Sequence, residues 1–297
     1  MATRFEFLLL GENEPFLRAA GEDVIREIQR IEDTFSFYRQ QSTLSRLNAK
    51  ACNEAVPVNA EVFTFLQKVA ELSRKTDGAF DPTVGPLMKA WGFTGKTGIK
   101  PDDGQIRQIL EHTGMRHVLL DEKKRTVRFV RSGVLLDPGA VGKGYALDEA
   151  ARLLQEMGVK HALIHGGTSS VKAWGDSPEG NGWQVAVRHP ESVESDEVKL
   201  LKVIRLRNEA MSVSTVWGKT FEVEGKILGH VIDPGKGQPA EGALLTVCTG
   251  KSAMTADACS TAMLVLANKS GSVIDRIPGI TGFFIILNNK DIVDRLP

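Results

Sequence analysis

Apolar positions between Glu14 and Phe35 fall at helical spacing (Phe16, Ala20, Val24, Ile28, Ile31), which predicts a long amphipathic helix with Pro15 in its first turn. Before it, Met1 to Phe7 alternates in part and begins a strand that ends at Gly11. Phe35 to Asn48 is polar with embedded aromatics and reads as a loop followed by a short helix. Glu61–Thr76 and Asp103–Thr113 read as further helices. Val118–Leu120 and Thr126–Val130 read as strands joined by the charged turn Asp121 to Arg125. Gly133–Asp137 reads as an apolar strand ending in a carboxylate, followed by a glycine-rich turn and a helix to Met157. Strands are then expected at His161–His165, Trp183–Arg188, Lys202–Leu206 and Ala210–Thr215. Phe221–Val223, Lys226–Ile232 and Leu244–Cys248 are expected to complete a sheet, with Gly282–Leu287 in the same core. This succession predicts an α+β fold with mostly antiparallel strands.

Ser252 to Ala267 has a different pattern. It is rich in helix formers, lacks Gly and Pro, and is apolar on every face beyond Thr261, as a helix sunk in a core is. Asp257 sits near its start, and Asp257, Ser260 and Thr261 share one helical face. Three oxygen side chains on one face of a buried helix suit a hard cation such as Mg2+. The alternative is that Ser252 or Thr255 caps the helix and Asp257 merely faces its dipole.

Other stretches carry chemistry of their own. The turn Pro138 to Gly144 leads from the carboxylate of Asp137 into a helix N-terminus and contains Lys143. Free N–H groups and a helix dipole there suit an anion, although the spacing matches neither a Walker A loop nor a dinucleotide fingerprint, and a generic glycine turn stays open. Tyr38 and Arg39 suit stacking on and pairing with a planar anionic ligand, or ordinary surface packing. Asp81, held out of the helical region by Pro82, suits an Asx turn. His230, near the end of an apolar strand, is either an exposed strand residue or an acid–base group.

Composition narrows the partners. The chain has 37 Lys plus Arg against 37 Asp plus Glu, so no net basic field points to nucleic acid, and an anionic ligand must be held by local groups. Three cysteines, Cys52, Cys248 and Cys259, form neither a zinc spacing nor a disulfide framework. With no signal segment or membrane span visible, a cytoplasmic location is expected as the sequence stands. A periplasmic or membrane-anchored location is the alternative if an export segment preceded it.

Five segments in order resemble the ApbE family, the FAD:protein FMN transferases. They are Phe35 to Asn48, Gly78 to Thr83, Asp137 to Asp148, His230 to Pro234, and Thr255 to Thr261. The resemblance runs from Met1 to about Leu287. It implies a T-fold-like α+β fold in one domain over residues 1–297, with a central flavin cleft. It also implies Mg2+-dependent transfer of FMN from FAD to a Thr hydroxyl of an acceptor protein, releasing AMP. Under it, Asp257, Thr261 and the backbone carbonyl of Ala140 hold the metal, with Ser260 where a further ligand can lie. Met1, Tyr38, Ala79, Phe80, Asp81, Asp137, Lys143 and Val231 contact FAD, and His230 transfers a proton.

The chain departs from the family pattern at Thr168, where Asp or Asn often follows the paired glycines, and at Pro138, where Leu is usual. It departs again at Val213 to Gly218, where the family often has Ser-Thr-Ser-Gly-x-Tyr. Those departures motivate two competing expectations: an FAD pyrophosphatase that uses water in place of the hydroxyl, and a flavin-binding protein without turnover.

Overall fold

The structure is a computed structural model that describes residues 3–95, 98–190, 199–217, 220–223 and 225–296. The helices among them are α1 (Glu14–Phe35), α2 (Thr43–Lys50), α3 (Ala60–Lys75), α4 (Gly85–Ala90), α5 (Asp103–Leu110), α6 (Gly142–Glu156), α7 (Ala253–Leu266) and α8 (Ser270–Ile274). The first nine strands are β1 (Phe5–Leu10), β2 (Val56–Pro57), β3 (Val118–Asp121), β4 (Thr126–Phe129), β5 (His161–Gly166), β6 (Ser170–Trp174), β7 (Trp183–Arg188), β8 (Leu200–Leu206) and β9 (Glu209–Thr215). Seven more follow: β10 (Thr220–Val223), β11 (Lys226–Gly229), β12 (Ile232–Asp233), β13 (Gln238–Pro239), β14 (Ala243–Gly250), β15 (Ile280–Leu287) and β16 (Ile292–Asp294).

Among the described residues the main sheet has seven strands in the order β1-β5-β6-β9-β14-β15-β16, and each neighbouring pair is antiparallel. Strand alternation divides the core by face. Ala162 and Ile164 of β5 face a cluster shared with α1, α3 and α6. Leu163 between them faces the opposite side, where Trp183, Val185 and Val187 of the β7–β8 ribbon cover the sheet. The helix α7 packs on the first face, with Cys259, Met263 and Leu264 against Cys248, Phe283 and Ile285 of β14 and β15. Its run of small and apolar residues suits this position, since almost every side of it is enclosed. None of the described helices is long and apolar enough to cross a membrane.

Three expectations need correcting. Among the described residues Gly133–Asp137 joins no strand ladder: Gly133 lies in a turn at φ +90°, and 134–137 has no regular structure. Its backbone partners come from elsewhere: the Asn48 carboxamide accepts from Leu136 N–H and donates to Leu136 C=O, both at 2.9 Å, and Asp137 N–H donates to Pro82 C=O at 2.6 Å. The segments Phe221–Val223 and Lys226–Ile232 do not complete the main sheet. β10 and β11 pair with each other in a separate two-stranded sheet, and the second stretch breaks at Gly229. There the chain passes so close to Val216 that an added Cβ would lie 2.3 Å from its carbonyl oxygen. Conversely, Ser170–Trp174 is a central strand, hidden in the sequence behind the adjoining Gly166–Gly167 turn.

Candidate functional site

A cleft of about 1130 Å³ opens among α1, β7, β9 and the start of α6, a volume just above the usual range of ligand pockets. Tyr38, Ala79, Phe80, Asp81, Asp137, Ala140, Lys143, His230, Val231, Asp257 and Thr261 all line it. Segments scattered over more than two hundred positions of sequence therefore meet on one surface. Ser260 lies one layer behind, hydrogen-bonded to Ser214 at 2.8 Å and to Ser212 at 3.0 Å. Met1 falls outside the described residues.

The cleft floor is built where two helices begin. Ser252 caps α7, accepting from Thr255 N–H at 3.1 Å. The cap of α6, Val141, has no side-chain acceptor to offer. Asp257 supplies one instead: its Oδ2 accepts from Gly144 N–H at 2.7 Å, the amide in the third helical position that a capping side chain ordinarily serves. At that amide the glycine turn meets a carboxylate of the chain itself.

Asp257 is only 2% exposed. Its Oδ1 accepts from Ser170 Oγ at 2.7 Å and Ser212 Oγ at 2.6 Å. Burial pushes its carboxyl above the usual range, while the Lys143 charge and the Ser212, Ser170 and Gly144 donors pull the other way. Among the described residues Oδ1 takes two donors and Oδ2 one, so by lone-pair count Oδ2 retains capacity for one more partner. An oxygen-only donor set with a carboxylate, the Thr261 hydroxyl and a backbone carbonyl at Ala140 has the chemistry a Mg2+ ion takes. The residues present fit that ion.

The serines opposite Asp257 were not visible in the sequence. Ser170 and Ser212 are cross-strand partners on β6 and β9, and Ser214 follows two residues on, facing the same way. Thr246 of β14, paired with Ser214, donates to the Ser260 carbonyl at 2.7 Å. The signal available was a Ser-x-Ser alternation in Ala210–Thr215, which period-two geometry turns toward one face.

The other predicted residues differ in how free they are. Asp81 is 8% exposed and forms the Asx turn expected of it. Its Oδ1 accepts from Thr83 N–H at 2.8 Å and Thr83 Oγ1 at 2.6 Å, and its Oδ2 from Met115 N–H at 3.1 Å and Ser73 Oγ at 3.3 Å. Asp137 accepts from Gly139 N–H at 2.8 Å, which shapes the turn into α6. Tyr38 is exposed at the rim, edge-on to Phe37. Partial burial and then the Asp137 charge raise its phenol above the usual value. His230 is half-buried in the bend after β11, its ring nearly perpendicular to that of Phe93. Thr168 and Trp217, at two of the departures from the family pattern, both line the cleft.

An open cleft over a buried, donor-held carboxylate between two helix starts defines an enzyme site in an α+β fold. The ApbE family model matches residues 1–284. The FAD:protein FMN transferase of Escherichia coli K12 is 29% identical over 269 residues, covering 89% of this chain and 76% of that protein. That of Vibrio cholerae is 28% identical over 255 residues, covering 85% and 75%. Among solved structures, the ApbE protein of Thermotoga maritima superimposes with a TM-score of 0.86 at 29% identity, covering 98% of this chain and 97% of that one. The apo flavinyl transferase ApbE of Pseudomonas stutzeri gives 0.83 at 27% identity, covering 96% and 87%. The chain belongs to the ApbE family.

Proposed function

We propose that residues 1–297 act as one unit that transfers FMN from FAD to a Thr hydroxyl of an acceptor protein, in a Mg2+-dependent reaction that releases AMP. The relatives' names, FAD:protein FMN transferase, support the donor and the kind of acceptor. The observation that carries the reading is Asp257, a buried carboxylate that keeps one acceptor position on a cleft large enough for a dinucleotide.

In this reading Asp257 Oδ2, the Thr261 hydroxyl and the Ala140 carbonyl hold Mg2+, with Ser260 behind them. Bound there, the ion offsets charge on the pyrophosphate. Lys143 adds a second positive charge beside those oxygens, and phosphoryl transfer gains most from such neutralisation and positioning. Tyr38, Ala79, Phe80 and Val231 bound the flavin. Asp81 contributes a rigid wall, since its oxygens are occupied by protein donors. His230 takes the proton of the acceptor hydroxyl as the Thr Oγ–P bond forms and the P–O bond to AMP breaks.

The test mixes the protein with FAD and Mg2+, with and without a Thr-bearing acceptor peptide, and follows AMP, free FMN and flavin on the peptide. AMP only with acceptor, together with labelled peptide, is the expected result. The position of Thr168 and Trp217 on the cleft wall favours a second reading, FAD hydrolysis, which would yield AMP and FMN without acceptor. No AMP in either tube overturns both.

A further inference from the structure

We propose that Asp148 is a positioning residue for the Asp257 site: it locks α6 and α7 into the one arrangement that holds the Asp257 carboxylate toward the cleft. This rests on the reading of Asp257 as a cation ligand. Asp148 lies on α6, yet its carboxylate serves the start of α7. Its Oδ1 accepts from Ala253 N–H at 2.9 Å, and its Oδ2 from Met254 N–H at 3.0 Å and Ser252 Oγ at 2.7 Å. Asp257 lies on α7 and serves the start of α6 through Gly144. Each helix therefore caps the other, so neither carboxylate can shift unless the helix pair shifts with it.

Two further observations tighten this clamp. The helices touch at Gly144, where an added Cβ would lie 2.3 Å from the Ala253 carbonyl oxygen. The half-buried Lys172 of β6 lies 3.1 Å from Asp148 Oδ1 and also donates to the Lys251 carbonyl, tying the clamp to the sheet beside Ser170. Asp148 itself does not line the cleft, so its action passes through α7.

The experiment compares Asp148→Ala and the milder Asp148→Asn with Asp102→Ala. Asp102 is the N-cap of α5, and its capping box bonds to Gln105 within that helix, so its loss reports what an ordinary cap costs. Mn2+ binding to each protein is measured by calorimetry without FAD, with thermal midpoints alongside. Loss of a supporting partner typically weakens metal affinity about 10- to 100-fold. The Asp148 variants are expected to show a loss in that range, with Asp102→Ala unchanged. Unchanged Mn2+ affinity in the Asp148 variants, at any thermal midpoint, overturns the proposal. Hydrogen exchange of peptides spanning residues 142–147 is read on the same metal-free samples. It is expected to speed up in the Asp148 variants and not in Asp102→Ala. If the parent protein takes up no Mn2+, the cation reading of the site falls, and exchange at residues 142–147 alone decides: faster exchange upholds the clamp and unchanged exchange overturns it.

Discussion

Asp81 and Asp257, two of the buried carboxylates that line the cleft, behave differently. Asp81 receives four donors, two on each oxygen, and all come from the segments that fold around it. Among the described residues Asp257 receives three, from β6, β9 and α6, and keeps one acceptor position open. Both are nearly inaccessible, so burial does not distinguish them. What does is the count of donors against lone pairs: a saturated carboxylate is a structural joint, and an unsaturated one beside a lysine is a place for a ligand.

Substitution at each aspartate sharpens that contrast. Asp257→Asn is expected to lower AMP release by more than about 100-fold, beyond what losing a supporting partner costs a metal site. Steady-state assays over a range of Mg2+ check it, and retention of turnover within tenfold would remove Asp257 from the chemistry. Asp81→Asn is expected to do the reverse. Replacing an acceptor by a donor in that network costs on the order of 1–3 kcal/mol of stability. Turnover well below the melting midpoint should stay within about tenfold of the parent, by the same arithmetic of unmade hydrogen bonds. A urea titration and the same assay separate the two, and a collapse of activity with unchanged stability would show that Asp81 acts on the ligand.

The smallest effect is expected from pH. His117 closes the turn that delivers Met115 N–H to Asp81, and desolvation, aided by Arg116 and Arg131, holds its pKa below the ordinary 6.5. The fold thus favours the neutral ring. That contribution is present above the unfolded-state value and is lost as pH falls through the lower folded one. Melting midpoints between pH 7.5 and 5 should fall with acid, and His117→Gln should flatten the slope; an equal slope in both proteins would exclude His117 as the source.

Much of this was legible in the sequence where the signal is local. The helical period gives α1 with its bounds, because one apolar stripe and Asn13–Pro15 at the start leave little choice. Alternation gives β7 with its bounds, since Trp183, Val185 and Val187 face inward and the residues between face out. Asp257 stood out as a carboxylate in an apolar helix. The surroundings of that carboxylate were not legible, because Ser170, Ser212 and Gly144 reach it from 45 to 113 positions away. Gly133–Asp137 misled for the opposite reason. Its apolar run satisfies a strand pattern, but a side chain rather than a strand completes its hydrogen bonds.

That substitution of a carboxamide for a ladder decides what anchors this wall of the cleft. The segment carrying Asp137, Gly139 and Ala140 is fastened at Leu136 by Asn48, not by a zipper of strand bonds whose members reinforce one another. Each such bond contributes about 1 kcal/mol net. Val134, Leu136 and Val141 are all buried in the core shared with α1, α3 and α6, so apolar burial supplies the cooperativity that a ladder would otherwise give. One wall of the cleft is thus pinned rather than woven: a carboxamide, one backbone bond to Pro82 and three buried side chains keep it in place.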